Sequence, residues 1–266
     1  MNTPSDLARL DEILESMESV AVAFSGGVDS TLLAHRCAHI KTLRCRAVII
    51  DSSFFPNSEL EEALAIAEGL EIETIVKKMD AISAAVLKNT PERCYLCKNR
   101  VLSLIQETVP DGTTIVEGSN IDDLDDYRPG MKAVKELGIR SPLIEAGFTK
   151  EDIRRHAKLL GLPNWDKPAA ACLATRIQTG IPIDLKTLGR IEASEEFLKE
   201  NGVHACRVRV HGSIARIEVG PDERKKFFDT GFMNRTASKL KELGFAYVAL
   251  DLAGYRRGNM NTDDPS

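Results

Sequence analysis

Val20-Ala21-Val22-Ala23-Phe24-Ser25-Gly26-Gly27-Val28-Asp29-Ser30-Thr31 is the stretch on which the fold turns. Its first half is a short apolar run, the mark of a buried strand feeding a turn. Two glycines follow, and Ser30–Ile40 reads as a helix. Paired glycines between strand and helix let the backbone come close to an anion. The helix N-terminus adds N–H groups and a favourable dipole. The loop therefore predicts phosphate contacts from Ser25, Gly26, Gly27, Ser30 and Thr31. No lysine precedes the final Ser-Thr, which separates this loop from the kinase-type phosphate loop. Asp29 is a poor phosphate ligand and is better suited to carry Mg²⁺ or to orient the turn. The competing reading is a Gly-rich turn capped by Ser and Thr.

Three more strand candidates follow: Arg46–Ile50, Glu71–Val76 and Thr113–Val116. Helical patterns alternate with them, over Asn57–Gly69, with Leu60, Leu64 and Ala67 inward, and over Val101–Thr108. A further helix candidate, residues 5–18, precedes the first strand. Such alternation predicts an α/β fold, a parallel twisted sheet with helices on both faces. Ligands in such sheets bind at the carboxyl ends of the strands. The polar clusters Ser25–Thr31, Asp51–Ser53 and Glu117–Asp123 all fall there, which adds Ser52 and Gly118 as expected ATP contacts. Residues 149–160 read as a helix with Thr149 as N-cap and Asp152 three residues on, stopped by Gly161-Leu162-Pro163. Beyond residue 176 the pattern changes to a helix at 184–199, two antiparallel strands around His211-Gly212, a mostly helical Lys225–Leu243 and a strand at Tyr247–Leu252. The expected division is a nucleotide-binding domain over 1–175 and a smaller α+β domain over 176–266, the latter supplying substrate contacts and oligomer contacts.

Composition narrows the class. With 43% hydrophobic residues in 266, a substantial core forms without staples. The net charge of −5, with both signs interspersed, argues against a nucleic-acid partner. No apolar run is long enough for a membrane span, and the first residues lack the pattern of a secretory signal, so a cytoplasmic protein is expected. Six cysteines in a chain of this size do not read as a secreted disulfide framework.

Their spacing says more. Cys94 and Cys97 form a Cys-x-x-Cys pair after the loop signal Asn89-Thr90-Pro91, just before a helix, and Cys172 stands alone. Three thiolates could hold a [4Fe–4S] cluster with one iron open. A redox pair and buried structural thiols are the alternatives. Cys37, Cys45 and Cys206 are expected to pack in the core.

The loop resembles that of the PP-loop ATP pyrophosphatases, Ser-Gly-Gly-x-Asp-Ser-[Ser/Thr]. That resemblance implies attack of a substrate oxygen on the α-phosphate, with pyrophosphate leaving and an adenylate forming. The chain as a whole, from near residue 18 to near residue 261, resembles the LarE-type sulfur transferases of nickel-pincer nucleotide synthesis. The resemblance rests on Ala23–Thr31, Asn89-Thr90-Pro91, Asp126-Tyr127-Arg128-Pro129-Gly130, Asn164-Trp165-Asp166-Lys167, Arg207-Val208-Arg209, Ala215-Arg216-Ile217-Glu218 and Leu250–Arg256. It implies a small mononucleotide substrate, pyridinium-3,5-biscarboxylic acid mononucleotide, whose carboxylates become thiocarboxylates at the expense of ATP. It also implies a homo-oligomer, a hexamer being suspected. One branch of that family sacrifices the sulfur of a single cysteine; the other has three cysteines and a [4Fe–4S] cluster whose open iron takes sulfide from a donor. Having all three, this chain is expected in the second, with Cys94, Cys97 and Cys172 as ligands and Cys172 also counted as catalytic.

Arg207 and Arg209, two apart on a strand, face one side and suit a phosphate or carboxylate. Arg209 is also expected to take part in catalysis, and Arg128 and Arg256 are added as substrate contacts. The bland alternative is a solvated strand face with cross-strand Glu218 pairs. Trp165 is expected to pack rather than to flank a pocket. The acidic run Asp122, Asp123, Asp125 and Asp126 reads as a solvated loop or as a contact for Mg²⁺ or ribose. A transfer-RNA thiolase, an ammonia-dependent synthetase and a non-enzymatic adenine-nucleotide sensor with a structural metal are the competing functions. The acidic balance counts against the first, and the second leaves the cysteines unexplained.

Overall fold

The structure, a computed structural model, describes residues 6–80, 82–124, 129–168 and 171–255. The elements run α1 (Asp6–Glu15), β1 (Ser19–Ala23), α2 (Val28–His39), β2 (Arg44–Asp51), α3 (Asn57–Gly69), β3 (Glu73–Lys78), α4 (Ala84–Leu87), α5 (Arg93–Thr108) and β4 (Thr114–Val116). Then come α6 (Pro129–Glu136), α7 (Pro142–Ala146), α8 (Lys150–Leu159), α9 (Leu185–Glu200), β5 (Cys206–His211), β6 (Ile214–Val219), α10 (Thr230–Glu242) and β7 (Tyr247–Leu250). The chain divides into two compact units, Met1–Val86 with Glu92–Ala170, and Leu87–Pro91 with Ala171–Ser266. The boundary thus falls before Cys172 rather than after residue 175, and a short segment around Asn89 joins the second unit.

In the first unit four parallel strands lie in the order β3-β2-β1-β4. Alternation along the strands explains the helices on both faces. Val20 and Val22 of β1, with Ala47 and Ile49 of β2, join a core with α1, α2, α3, α7 and α8. Ala21, Val48 and Ile115 face the other way and pack with Leu102 and Ile105 of α5 and Val134 of α6. The chain leaves β1 toward β2 on one side and returns through β4 on the other. The crevice at the carboxyl ends of β1 and β4 is therefore the switch point where such sheets bind ligands.

Two sequence expectations are corrected. Leu64 of α3 is 37% exposed, and Ala63, Ile66 and Ala67 form the inward face instead. The helix expected from Val101 begins at Arg93, so Cys94 and Cys97 sit in its first two turns. Nothing between Arg93 and Val101 breaks a helix, and Pro91 stands just ahead of it. The capping box at Thr149 and Asp152 forms as expected.

In the second unit β5 and β6 are antiparallel, and β7 adds in parallel to β6. Val208, Ala215, Ile217 and Val219 face a core with Leu198 of α9 and Leu240 of α10. Asn89, fully buried, binds its segment into this unit by donating to the carbonyls of Gln178 and Ile181 at 2.9 and 2.8 Å.

Candidate functional site

Three strand ends of the first unit carry the expected nucleotide residues. Gly26 adopts φ +68°, the left-handed region that favours glycine. Gly27 is the N-cap of α2 and has no side chain to spend on the helix's first N–H groups, which stay available to an anion. Ser30 Oγ donates to the Gly27 carbonyl at 3.0 Å and lies 3.2 Å from Ser25 Oγ. Ser25 is exposed, whereas Ser30 and Thr31 are buried and brace the loop from inside. Ser52, also buried, turns the end of β2 by accepting from Phe54 N at 3.3 Å. Gly118 rests on the first turn of α2: a Cβ there would stand 2.9 Å from Ser30 N.

Asp29 lies between two partners the sequence did not pair with it. Lys150, at the start of α8, donates its ammonium to one carboxylate oxygen, and Asn120 Nδ2 stands 3.5 Å from the other. Asp29 is thereby held between α8 and the segment after β4. As a partly exposed carboxylate at a helix N-terminus it also fits a Mg²⁺ ion by donor type. Of the acidic run, Asp123 caps Asn120 and Asp122 accepts Lys150 N at 2.8 Å, so both serve the backbone. Asp125 and Asp126 lie outside the described residues.

Asn164 is a residue that sequence reasoning passed over except as part of a motif. It is 3% exposed, and its amide donates to Gly26 O at 2.8 Å and to Thr31 Oγ1 at 2.9 Å. The reverse amide orientation would set oxygen against the Gly26 carbonyl, so the geometry admits one assignment. Its segment is tied down by Lys167, which donates to Glu59 and Glu62 of α3 at 2.6 and 2.8 Å. Burial alone would lower the Lys167 pKa, but the two carboxylates raise it above the ordinary value. Trp165 packs against the core with Lys158 over its ring, in line with the packing role.

Glu117, at the end of β4, is buried yet ionised. Burial pushes its carboxyl up, and the Lys98 ammonium with hydroxyl donors from Ser119 and Ser141 outweighs that, leaving it below the ordinary 4.5. Its contribution to stability is therefore full above the ordinary carboxylate range and is lost as pH falls through the depressed value.

In the second unit Cys172 opens a turn held from below by buried charges. Arg176 and Glu195, 2% and 3% exposed, pair through two hydrogen bonds of 2.9 and 2.8 Å. Arg176 Nη1 also donates to the carbonyls of Ala171 and Cys172 at 2.7 and 3.0 Å. Arg209, 4% exposed, gives Nε to Glu218 at 2.9 Å and Nη1 to the Thr175 carbonyl at 2.7 Å. Arg216, two residues from Glu218 on β6, reaches its other oxygen at 2.9 Å, so the cross-strand pair is Arg209 with Glu218, and Glu218 is buried rather than on a solvated face. Arg207 is half-buried, stacks over Tyr255 and donates to its neighbour's carbonyl. Arg128 and Arg256 lie outside the described residues. The i, i+3 and cross-strand spacings were visible in the sequence; the partners across long separations were not.

Burial sorts the six cysteines. Cys37 and Cys206 are buried, and Cys45 packs against the first core. A hydrogen bond with Cys45, then burial, raise the Cys37 thiol well above its ordinary value. Burial, then the Glu195 charge, push Cys206 up to about 12. Cys94 is exposed, and Cys97 and Cys172 are half-buried. Cys94 and Cys97, one helical turn apart, share a face and fit two thiolate ligands. Among the described residues no three His, Cys, Asp or Glu side chains form a group disposed to hold a metal ion. Alkylation of the metal-free folded protein with iodoacetamide at neutral pH is expected to label Cys94 first. Cys206, buried and with its thiol pushed up to about 12, is expected to lag far behind. Labelling of both at one rate would contradict this assignment of environments. Among the described residues no helix is long and apolar enough to cross a membrane.

Comparison with known proteins adds to this geometry. The sequence pattern of NAD synthase matches residues 10–102, which hold the glycine loop. The chain is 36% identical over 258 residues to the pyridinium-3,5-bisthiocarboxylic acid mononucleotide synthase of Lactiplantibacillus plantarum, covering 96% of this chain and 93% of that protein. It is 35% identical over 260 residues to an uncharacterized protein of Synechocystis sp., covering 97% of each. An uncharacterized protein of Methanocaldococcus jannaschii is 32% identical over 241 residues, 90% of this chain and 91% of its own length.

Proposed function

The chain belongs to the family of the pyridinium-3,5-bisthiocarboxylic acid mononucleotide synthases, LarE-type enzymes with a PP-loop domain, and from that premise we propose that it inserts sulfur into the carboxylates of pyridinium-3,5-biscarboxylic acid mononucleotide. The observation that carries the reading is the conjunction of the uncapped glycine loop at the sheet's switch point with near full-length similarity to such a synthase.

The reaction divides in two. A ring carboxylate oxygen attacks the α-phosphate of ATP, pyrophosphate leaves, and an acyl adenylate forms. A sulfide-level nucleophile then adds to the acyl carbon, AMP leaves with the C–O bond, and a thiocarboxylate remains. In the first half the Gly26–Ser30 backbone holds the leaving phosphates, and Asp29 carries Mg²⁺ or keeps the turn in place through Lys150. This is positioning and charge neutralisation, with no covalent work by the protein. Ser25, Ser52 and Gly118 complete the nucleotide contacts. Arg207, with Arg209, Arg128 and Arg256, is assigned to the substrate's phosphate and carboxylates. Arg209 acts there while its Nε is held by Glu218 of β6 and its Nη1 anchors the turn at Thr175.

Cys94, Cys97 and Cys172 are assigned as thiolate ligands, supported by their accessibility relative to the buried Cys37 and Cys206. A [4Fe–4S] cluster held there would supply an open iron able to carry sulfide for transfer. Assembly as a homo-oligomer and a cytoplasmic location belong to the same reading.

Anaerobic incubation with ATP, Mg²⁺, sulfide and the biscarboxylate mononucleotide, followed by mass spectrometry of substrate and protein, tests this. The expected result is AMP and pyrophosphate with each sulfur-for-oxygen exchange, and a protein of unchanged mass. Loss of H₂S from Cys172 would replace catalytic by sacrificial delivery. Absence of AMP and pyrophosphate with this substrate would overturn the reading as a whole.

A further inference from the structure

One buried carboxylate of the first unit reaches two places that the reaction uses. Glu117 is 3% exposed. Its Oε1 accepts from Ser141 Oγ at 2.7 Å and Ser119 N at 3.1 Å. Its Oε2 accepts from Lys98 Nζ at 3.0 Å and Ser119 Oγ at 2.9 Å. Its own N–H donates to the Arg140 carbonyl at 3.0 Å. Four donors fill the carboxylate, so neither oxygen can swing away without stranding a partner.

Lys98 follows Cys97 directly and stands one turn beyond Cys94 on α5. The N-cap of that helix, Glu92, makes no side-chain cap bond, and the Lys98 ion pair, with the Tyr95 hydroxyl donating to Glu136 at 2.6 Å, ties down its first two turns. The Lys98 stem is seated as well: a Cβ on Gly130 of α6 would lie 3.6 Å from its Cβ and Cγ.

At the other end the next residue is Gly118. A Cβ there would come within 2.9 Å of Ser30 N and 3.1 Å of Asp29 Cβ. The backbone beside Glu117 thus rests against the first turn of α2, whose N–H groups are assigned to the nucleotide phosphates.

We propose that Glu117 is a positioning residue shared by two sites. It sets the Cys94–Cys97 turn through Lys98, and it sets the mouth of the pyrophosphate loop through the strand end that carries Gly118. The thiol pair and the phosphates are thereby held in one frame by a group that touches neither. The thiol half rests on the assignment of Cys94 and Cys97 above; the nucleotide half rests on the Gly118 packing alone.

Three variants and two readouts test this without requiring turnover. The readouts are calorimetric binding of α,β-methylene ATP and the iodoacetamide labelling rates of Cys94 and Cys97 in metal-free protein. Glu117→Gln places an amide against the Lys98 ammonium. It is expected to weaken analogue binding about tenfold and to change Cys97 labelling several-fold, the scale of one lost charge-assisted hydrogen bond. Lys98→Met is expected to change labelling while binding stays near wild type. Gly118→Ala is expected to weaken binding while labelling stays. A uniform loss of stability would not produce that split. The proposal is overturned if Glu117→Gln alters neither readout or only one, or if Lys98→Met weakens binding as much as Glu117→Gln does. Should Glu117→Gln fail to fold, Glu117→Asp keeps the charge and is expected to move both readouts in the same direction by less; no movement in either overturns the proposal equally. Failure to transfer sulfur leaves both readouts intact, so the two readings fail separately.

Discussion

Gly26→Ala is expected to destabilise the first unit by about 2–4 kcal/mol and to weaken nucleotide binding by about a hundredfold or more. Two independent costs add. The backbone at Gly26 has φ +68°, which an L side chain adopts at a cost of about 1–2 kcal/mol. The added Cβ would also stand 2.8 Å from Ala63 Cβ and 3.0 Å from Ala63 Cα. Ala63 is 1% exposed on α3 and cannot yield without moving the helix. Relief has to come from the loop, and the loop is bound by Asn164 to the Gly26 carbonyl. Any shift therefore moves the N–H groups assigned to phosphate. Gly27→Ala is the control for stability: its nearest neighbour would be Ser25 Oγ at 3.4 Å, an ordinary contact. Thermal unfolding with calorimetry of an ATP analogue reads both effects. Wild-type affinity in Gly26→Ala would sink the assignment of this loop to nucleotide.

Glu195→Gln is expected to cost the second unit about 3–5 kcal/mol, because it strands a buried guanidinium. Glu195 accepts two bonds from Arg176, and its Oε1 also takes Val208 N of β5 at 2.9 Å. One carboxylate thus joins α9, the sheet and the turn that begins at Cys172. Removing the charge leaves Arg176 buried with only carbonyls and the Thr175 hydroxyl to solvate it. Pairing the change with Arg176→Met removes both charges and is expected to cost clearly less than the two single changes summed, by about 2 kcal/mol or more. Denaturant unfolding of the four proteins gives the cycle, and hydrogen exchange over residues 171–177 reports the turn itself. Nucleotide binding, assigned to residues of the first unit, is expected to persist. Strict additivity would mean that the pair is not the anchor described.

Local chemistry made much of this legible. Strand and helix alternation, the glycine loop, the Thr149 capping box and the split of the cysteines into packed and accessible sets all arise from short-range rules. Periodicity decides burial, glycine decides backbone freedom, and a capping residue decides a helix start. Where the reading slipped, the cause was equally local. The start of α5 was set at Val101 instead of Arg93, and the inward stripe of α3 on Leu64 instead of Ala63 and Ile66.

The sequence by itself determined that a parallel sheet presents a glycine loop at its strand ends, and that a second unit of different pattern follows. Only the tertiary structure decided what holds that loop and the Cys172 turn. Asn164 is 138 residues from the Gly26 carbonyl it binds, Lys150 is 121 from Asp29, and Arg209 is 34 from the Thr175 carbonyl. Such pairs have no period and no spacing to read. A buried donor or charge must find a partner, and which partner it finds depends on how strands order in the sheet and how helices pack across it.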